Sequence, residues 1–508
     1  MYFMEQDLQG SFNSDRFINQ FILGPVFVDA LTGWQQVNID KSFKLTAHPE
    51  LNVEQVSDGN KSITIIGYIL DPAHPEATDI DVAGILLSKF TSLDRLIRAT
   101  NQLGGRWAII AKNDEQAILF NDALGLRQVF FTTPDYCKDV WAASQPGLIA
   151  WLFNLKVDDE AMNFLDSYVI RKYREYRWPG NATAFGEIKH LLPNRYLDLN
   201  AIQVHRFWPK EPIGKLDLVQ GVDNAVKMLE GLMDAAYIRF DLVHGMTAGL
   251  DSRTVLAASR KNKENIRAIT VRQGLMPDSH YDLTVTSRLL GKHGIPHSIV
   301  NAYPYMSAAF SKAFKENVFL AHDHYGPDAE AILHKFSRKK VAVTGGGAEV
   351  ARSSFRFRID GYKSGYEAEE LAKLLFMEGN AFAVQAYAQW LDEIGNLYDV
   401  HLLDLLCWEN LHGNWMAGTY MEFDFAWRDI FTPFNCRGLL VNLLSIDEKY
   451  RSAPDYKAFK ELIKIMWPEL LVEPINPSEK NQKCFSWEGW WRSSKNRVKR
   501  YLYKHGLR

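Results

Sequence analysis

Between residues 241 and 344 the chain alternates short apolar, β-branched runs with helical patterns. A parallel sheet with crossover helices is the architecture that accommodates such an order. Residues 241–246, 266–271, 297–300 and 340–344 read as strands, and 252–260 and 281–293 as helices. An amphipathic helix at 222–239 precedes them, and 366–464 is mostly helical in pattern. In sheets of this kind ligands bind beyond the carboxyl ends of the strands, so the loops at those ends deserve the closest reading.

Met246-Thr247-Ala248-Gly249-Leu250-Asp251-Ser252-Arg253 joins the first strand to its helix. Small residues there expose backbone N–H groups, and the helix behind them adds its dipole, so a pyrophosphate fits. The hydroxyls of Thr247 and Ser252 can donate to phosphate oxygens. Asp251 makes sense beside a phosphate only with a cation between them, which points to Mg²⁺. The loop resembles the PP-loop of N-type ATP pyrophosphatases, Ser-Gly-Gly-x-Asp-Ser, with Thr247 for the first Ser and Ala248 for the first Gly. That resemblance implies ATP as ligand, with Thr247, Ala248, Gly249, Asp251, Ser252 and Val271 among the residues that hold it.

Thr344-Gly345-Gly346-Gly347-Ala348-Glu349 follows another strand. It resembles the asparagine synthetase stretch Ser-Gly-Glu-Gly-Ala/Ser-Asp-Glu. The match implies nucleotide contacts at Thr344 and Gly345 and a second Mg²⁺ carboxylate at Glu349. Gly346 stands where the family has a Glu, in the neighbourhood where β-lactam-forming relatives use a Tyr. The base that deprotonates the amine is therefore unassigned.

Trp408-Glu409-Asn410-Leu411-His412-Gly413-Asn414-Trp415-Met416-Ala417 resembles a divergent Asp-Arg-x-Ser-Met segment. It implies Glu409 as a catalytic base, alone or with His412. A purely structural Glu409 stays open, and Glu422 lies nearer to Phe431-Thr432-Pro433-Phe434-Asn435, which resembles the family's Arg-x-Pro-Phe-Leu-Asp without its Arg. Lys460-Glu461-Leu462-Ile463-Lys464 resembles Lys-x-x-Leu-Arg, which implies that Lys460 offsets charge on an adenylate, with Lys457 competing for the role.

The first 205 residues read as β-rich, with strands at 62–70, 107–112, 116–121 and 128–132 and helical patterns at 83–90 and 159–173. Gly104-Gly105-Arg106-Trp107-Ala108-Ile109 and Asn121-Asp122-Ala123-Leu124-Gly125-Leu126-Arg127 resemble class II glutamine amidotransferase domains. Those enzymes use an N-terminal Cys as nucleophile. Position 2 here is Tyr2, and Cys137 is the first cysteine. Arg-Gly-Pro-Asp and Asn-Gly-Glu patterns for binding glutamine are also missing. The front part therefore resembles the inactive amidotransferase domains of β-lactam synthetases and lasso-peptide cyclases.

The fold class expected is α+β and α/β. An Ntn-hydrolase-like β-sandwich (residues 1–210) leads, across a turn-rich break at 211–215, to a PP-loop parallel-sheet domain (216–508) with a helical C-terminal part. A length of 508 residues suits two or three domains, and 47% hydrophobic with 23% charged residues is a globular composition. The net charge of -3 argues against a nucleic-acid partner. The four cysteines form no CxxC pair and no zinc spacing, and no apolar run reaches the length of a membrane-spanning helix. With no secretory signal at the N-terminus, the reading is cytoplasmic.

The basic, aromatic end at 480–508 fits a membrane surface, a nucleic acid, an anionic glycan or a solvated helix with a docked tryptophan cluster. The function expected is adenylation of a small-molecule, peptide or glycan carboxylate followed by transfer to an amine or ammonia, using ATP and Mg²⁺. Natural-product or glycan amidation suits the resemblance better than asparagine synthesis. A homodimer stays open. The rivals are a non-catalytic nucleotide-binding or scaffold protein of the same fold and PP-loop chemistry on RNA.

Overall fold

The computed structural model describes residues 16–166, 176–274, 276–355 and 365–477. The expectations for the 480–508 tail, for Tyr2 and for the end of the 159–173 helix lie outside them.

The front of the chain forms β1 (Phe21–Gly24), β2 (Gln35–Asn38), β3 (Lys44–Ala47), β4 (Val53–Asp58), β5 (Lys61–Leu70), β6 (Gly104–Lys112), β7 (Ala117–Asn121), β8 (Phe130–Thr132), β9 (Ala142–Ala143), β10 (Ile188–His190), β11 (Arg195–Asp198) and β12 (Gln203–Arg206). They pair antiparallel into two sheets, ordered β10-β8-β9-β1-β3-β2 and β12-β11-β7-β6-β5-β4. Phe21, Leu23 and Leu45 of one sheet meet Ile110, Leu119 and Leu197 of the other in a shared apolar layer. The outer faces are covered in turn. Ile63, Ile65 and Ile109 pack against the helices Asp79–Lys89 and Leu93–Thr100, and Ile22, Phe130 and Ile188 pack against Pro146–Phe153. Because both faces of each sheet are buried, these strands read as apolar runs without clean alternation. The sandwich agrees with the expected front architecture.

Beyond the helix Leu218–Arg239 come β13 (Leu242–Gly245), β14 (Ala268–Arg272), β15 (His297–Asn301), β16 (Val341–Val343) and β17 (Asp429–Phe431). They form one parallel sheet in the order β15-β14-β13-β16-β17. The order grows outward from β13 in one direction through β14 and in the other through β16. The connections therefore diverge between β13 and β16, and sheets of this kind place their ligand crevice at the carboxyl ends of two such strands. β17 was missed in the sequence. Three residues inside a helical stretch carry no periodicity to detect.

Buried charges join the sandwich to the parallel sheet. Arg106 on β6 makes a two-pronged contact with Asp424, at 2.5 and 2.9 Å, and reaches Asp429 of β17 at 3.0 Å. Arg127 reaches the other oxygen of Asp429 at 3.1 Å. Asn435 accepts from Leu124 N–H at 2.8 Å and donates to the Gly105 carbonyl at 2.6 Å. Removing one member of a buried ion pair strands its partner's charge. Arg106→Met should therefore lower unfolding free energy by about 3–5 kcal/mol. Arg106→Met with Asp424→Leu should recover a clear part of that loss, as read by thermal and urea unfolding of both variants.

Candidate functional site

β13 ends at Gly245, and the helix Leu250–Ala258 begins five residues later, with Gly249 as its N-cap and Asp251 in its first turn. Inside the turn Thr247 Oγ1 lies 3.1 Å from Ser252 Oγ and accepts from Gly249 N–H at 3.1 Å. Thr247 is exposed at the mouth of the loop, whereas Ala248 and Ser252 are buried. Val271 sits near the carboxyl end of β14, next to Thr270, whose hydroxyl donates to the Met246 carbonyl at 2.9 Å.

The second glycine loop leaves β16 alongside. Its approach is close: a Cβ on Gly345 would sit 2.7 Å from the backbone carbon of Asp251 and 2.9 Å from the amide nitrogen of Ser252. No side chain fits there. Glu349 follows in the short helix Ala348–Ala351 and accepts from Gly347 N–H at 3.2 Å.

Asp251 and Glu349 meet at a residue the sequence reading passed over. One nitrogen of Arg352 lies 2.7 Å from Asp251 Oδ2 and 3.8 Å from Glu349 Oε1. Burial pushes the Asp251 carboxyl up, the Arg352 guanidinium pulls it back, and the Glu349 carboxylate adds to the rise. Asp251 Oδ1 is buried and makes no hydrogen bond among the described residues. Two carboxylates on one cation, one of them with a buried oxygen that lacks a donor, suit Mg²⁺, which takes one or two carboxylates and leaves its other positions to water and phosphate. Asp251 and Glu349 would be its protein ligands.

Three further contacts shape the loop. Ala248 N–H donates to Asp282 Oδ1 at 2.7 Å, so a carboxylate already occupies one donor of the anion nest. Arg253, wholly buried, donates to the carbonyls of Leu470, Glu473 and Pro474 at 3.1, 2.6 and 2.9 Å. This grip draws the 470–476 segment across the loop, where Asn476 N–H donates to the Ala248 carbonyl at 3.0 Å. Arg352 was within reach of sequence reasoning, three residues beyond Glu349 on one helical face. Asp282 and the Arg253 grip depend on long-range packing that local pattern does not record.

Glu409 requires a correction. It lies in the π-helix Cys407–Met416, fully buried, and it points at the sandwich. Arg206 contacts both of its oxygens, at 2.5 and 3.0 Å, Arg195 reaches it at 2.8 Å and Trp390 Nε1 at 2.9 Å. Burial alone would raise this carboxyl, but the two guanidiniums outweigh it and hold it down at about 2. A carboxylate so held accepts no proton from an amine. His412, offered as its partner, instead faces the glycine loop, with Nε2 3.7 Å from Glu349. Lys460 is exposed on the helix Lys457–Met466, which packs against Leu250–Ala258, and Lys457 is exposed at its start. The side chain of that helix's neighbour Tyr456, not of either lysine, reaches the site, with its ring 5.3 Å from the Arg352 guanidinium.

The empty position at Gly346 also has a physical reason. A Cβ there would lie 2.6 Å from the Tyr420 hydroxyl and 2.7 Å from Met416 Sδ. The Tyr420 phenol, from the helix Ala417–Phe423, is hydrogen-bonded to Thr344 Oγ1 and fills the space a side chain at 346 would need.

No protein-family model matches the chain, and no curated protein matches it. Among solved structures it is similar to the NMN synthetase from Francisella tularensis at 15% identity and a TM-score of 0.20, over 38% of this chain and 78% of that one. The NH3-dependent NAD synthetase from Campylobacter jejuni subsp. jejuni NCTC 11168 is similar at 14% identity and a TM-score of 0.20, over 37% and 81%. The glutamine phosphoribosylpyrophosphate amidotransferase from B. subtilis is similar at 11% identity and a TM-score of 0.23, over 66% and 72%. Likeness at these scores carries no argument about function, and the fold class rests on the strand order and pairing described above.

Two outcomes test the site's geometry. Glu409 has its carboxyl held below the ordinary 4.5, so its contribution is complete above that pH and fades as pH falls toward 2. Glu409→Gln should cost about 3–5 kcal/mol at pH 7. Its deficit against the wild type should narrow in unfolding curves taken down to pH 3. Gly346→Ala should cost about 1–3 kcal/mol by overpacking. Adding Tyr420→Phe should return much of that loss, as a double-mutant cycle would show.

Proposed function

We propose that the chain is an ATP-dependent amide synthetase that activates a carboxylate as its acyl adenylate. The observation that carries the reading is the convergence of two loops from adjacent parallel strands. They bring Asp251 and Glu349 onto one guanidinium nitrogen, at 2.7 and 3.8 Å, at the open end of the sheet. Anion-binding backbone and a pair of carboxylates are what a magnesium pyrophosphate needs, and few other ligands need both.

In this reading the pyrophosphate of ATP lies on Thr247, Ala248, Gly249 and Ser252, and Thr344, Gly345 and Val271 border the nucleotide. Bound Mg²⁺ supplies charge neutralisation on the leaving pyrophosphate. A carboxylate oxygen of the substrate attacks the α-phosphorus, the bond to pyrophosphate breaks, and acyl-AMP results. An amine nitrogen then attacks the acyl carbon, and AMP leaves. Asp282 yields the Ala248 N–H to a phosphate oxygen, and Arg352 moves from Asp251 to the developing negative charge. Lys460 adds long-range positive charge. Positioning and fixed dipoles account for most of the rate. The proton of the amine passes to a group at the second glycine loop, where the Tyr420 phenol stands beside Gly346 and His412 Nε2 lies 3.7 Å from Glu349.

One observation favours the scaffold as a second reading. Asp282 already occupies the Ala248 N–H and Arg352 one oxygen of Asp251, two of the groups that a nucleotide and metal would use. ATP–pyrophosphate exchange across a panel of carboxylates separates the two. The synthetase reading expects exchange that depends on one class of acid and falls at least about 100-fold in Asp251→Asn. Absence of exchange together with absence of ATP binding by calorimetry supports the scaffold.

A further inference from the structure

The sandwich and the helices Cys407–Met416 and Ala417–Phe423 line a partly open cavity of about 70 Å³. That is room for roughly two waters, or for the head of a primary amine. Along the second helix Tyr420 is committed to Thr344, whereas Gly418, Met421 and Glu422 line the cavity. The cavity is thus one helix away from the glycine loop, and the front part of the chain supplies its opposite wall through Phe130 and Gln145.

Glu422 gives the cavity its chemistry. It is 2% exposed. Its Oε1 is held by His322 Nδ1 at 2.7 Å, while its Oε2 is buried and makes no hydrogen bond among the described residues. A buried carboxylate oxygen without a donor is costly, and native proteins rarely keep one unless a ligand or water supplies the donor. The aromatic side chains Phe130, Phe319 and Trp415 line the same space and give it an apolar wall. Arg177 also lines it, with its guanidinium held over the Trp415 ring at 5.0 Å.

We propose that this cavity recognises the ammonium group of a primary amine, which donates to Glu422 Oε2 while its carbon body lies against the aromatic wall. That the amine is the second substrate of amide formation rests on the synthetase reading; the binding itself does not. The proposal gives the sandwich a task in substrate recognition that requires no nucleophilic cysteine.

Methylammonium chloride is the probe, titrated calorimetrically into the full chain against potassium chloride at equal ionic strength. Two variants accompany the wild type. Glu422→Gln removes the charge. Gly418→Leu fills the space, and a Cβ at Gly418 meets nothing within 4 Å, so this variant is expected to keep its fold and unfolding temperature. The expected result is saturable binding by the wild type that weakens at least tenfold in both variants. No methylammonium binding by the wild type, or equal binding by all three, overturns the proposal. ATP–pyrophosphate exchange on the same preparations separates the two readings. Exchange without methylammonium binding removes the amine site alone, and variant-sensitive binding without exchange upholds the site and removes the synthetase.

Discussion

Two sets of buried charges hold this molecule's layers in register. Arg106 and Arg127 reach from the sandwich to Asp424 and Asp429, and Arg195 and Arg206 reach from it to Glu409. Such pairs are poor contributors to net stability, because desolvation offsets most of their attraction. They are strong contributors to specificity of docking, since any other arrangement leaves a charge buried without a partner. Around them the apolar core is continuous: Tyr68, Leu70 and Leu124 of the front part pack into the same cluster as Leu242, Val343 and Phe431.

The consequence for the site follows the chain. Asp429 fixes the start of β17, the edge strand beside β16. Immediately after it Thr432 donates to the Gly346 carbonyl at 2.7 Å and steadies the second glycine loop. Leu124 packs beside Gly347, where its Cδ1 would be 2.6 Å from an added Cβ. The stretch from Gly104 to Arg127 that resembles a glutamine amidotransferase is therefore an interface, and its glycines and arginines set the backbone of the loop across from it. The front part thus has physical work in this fold.

The alternation of strands and helices from residue 241 onward was legible because each run is long enough to show its period and each loop sits between two such runs. The pairing of the Thr247–Ser252 and Thr344–Glu349 loops was legible through their resemblance and acquired geometry only from the strand order. Glu409 was misread because a carboxylate in a helical segment looks the same in sequence whether it meets a substrate or two arginines more than 200 residues away. β17 was too short to read. Tyr420 fills the place of the side chain missing at Gly346 from 74 residues downstream, and that substitution in space leaves no mark in the local pattern. Arg352 was overlooked although it stands only three residues beyond Glu349.

The central claim is the route through an acyl adenylate, and isotope transfer tests it most directly. A carboxylate that supports exchange, labelled with ¹⁸O in both oxygens, is turned over with an amine and ATP, and the products are weighed by mass spectrometry. The account predicts one ¹⁸O in AMP and unlabelled pyrophosphate. Label appearing in inorganic phosphate beside ADP, or amide formed with no label in any nucleotide product, would contradict it.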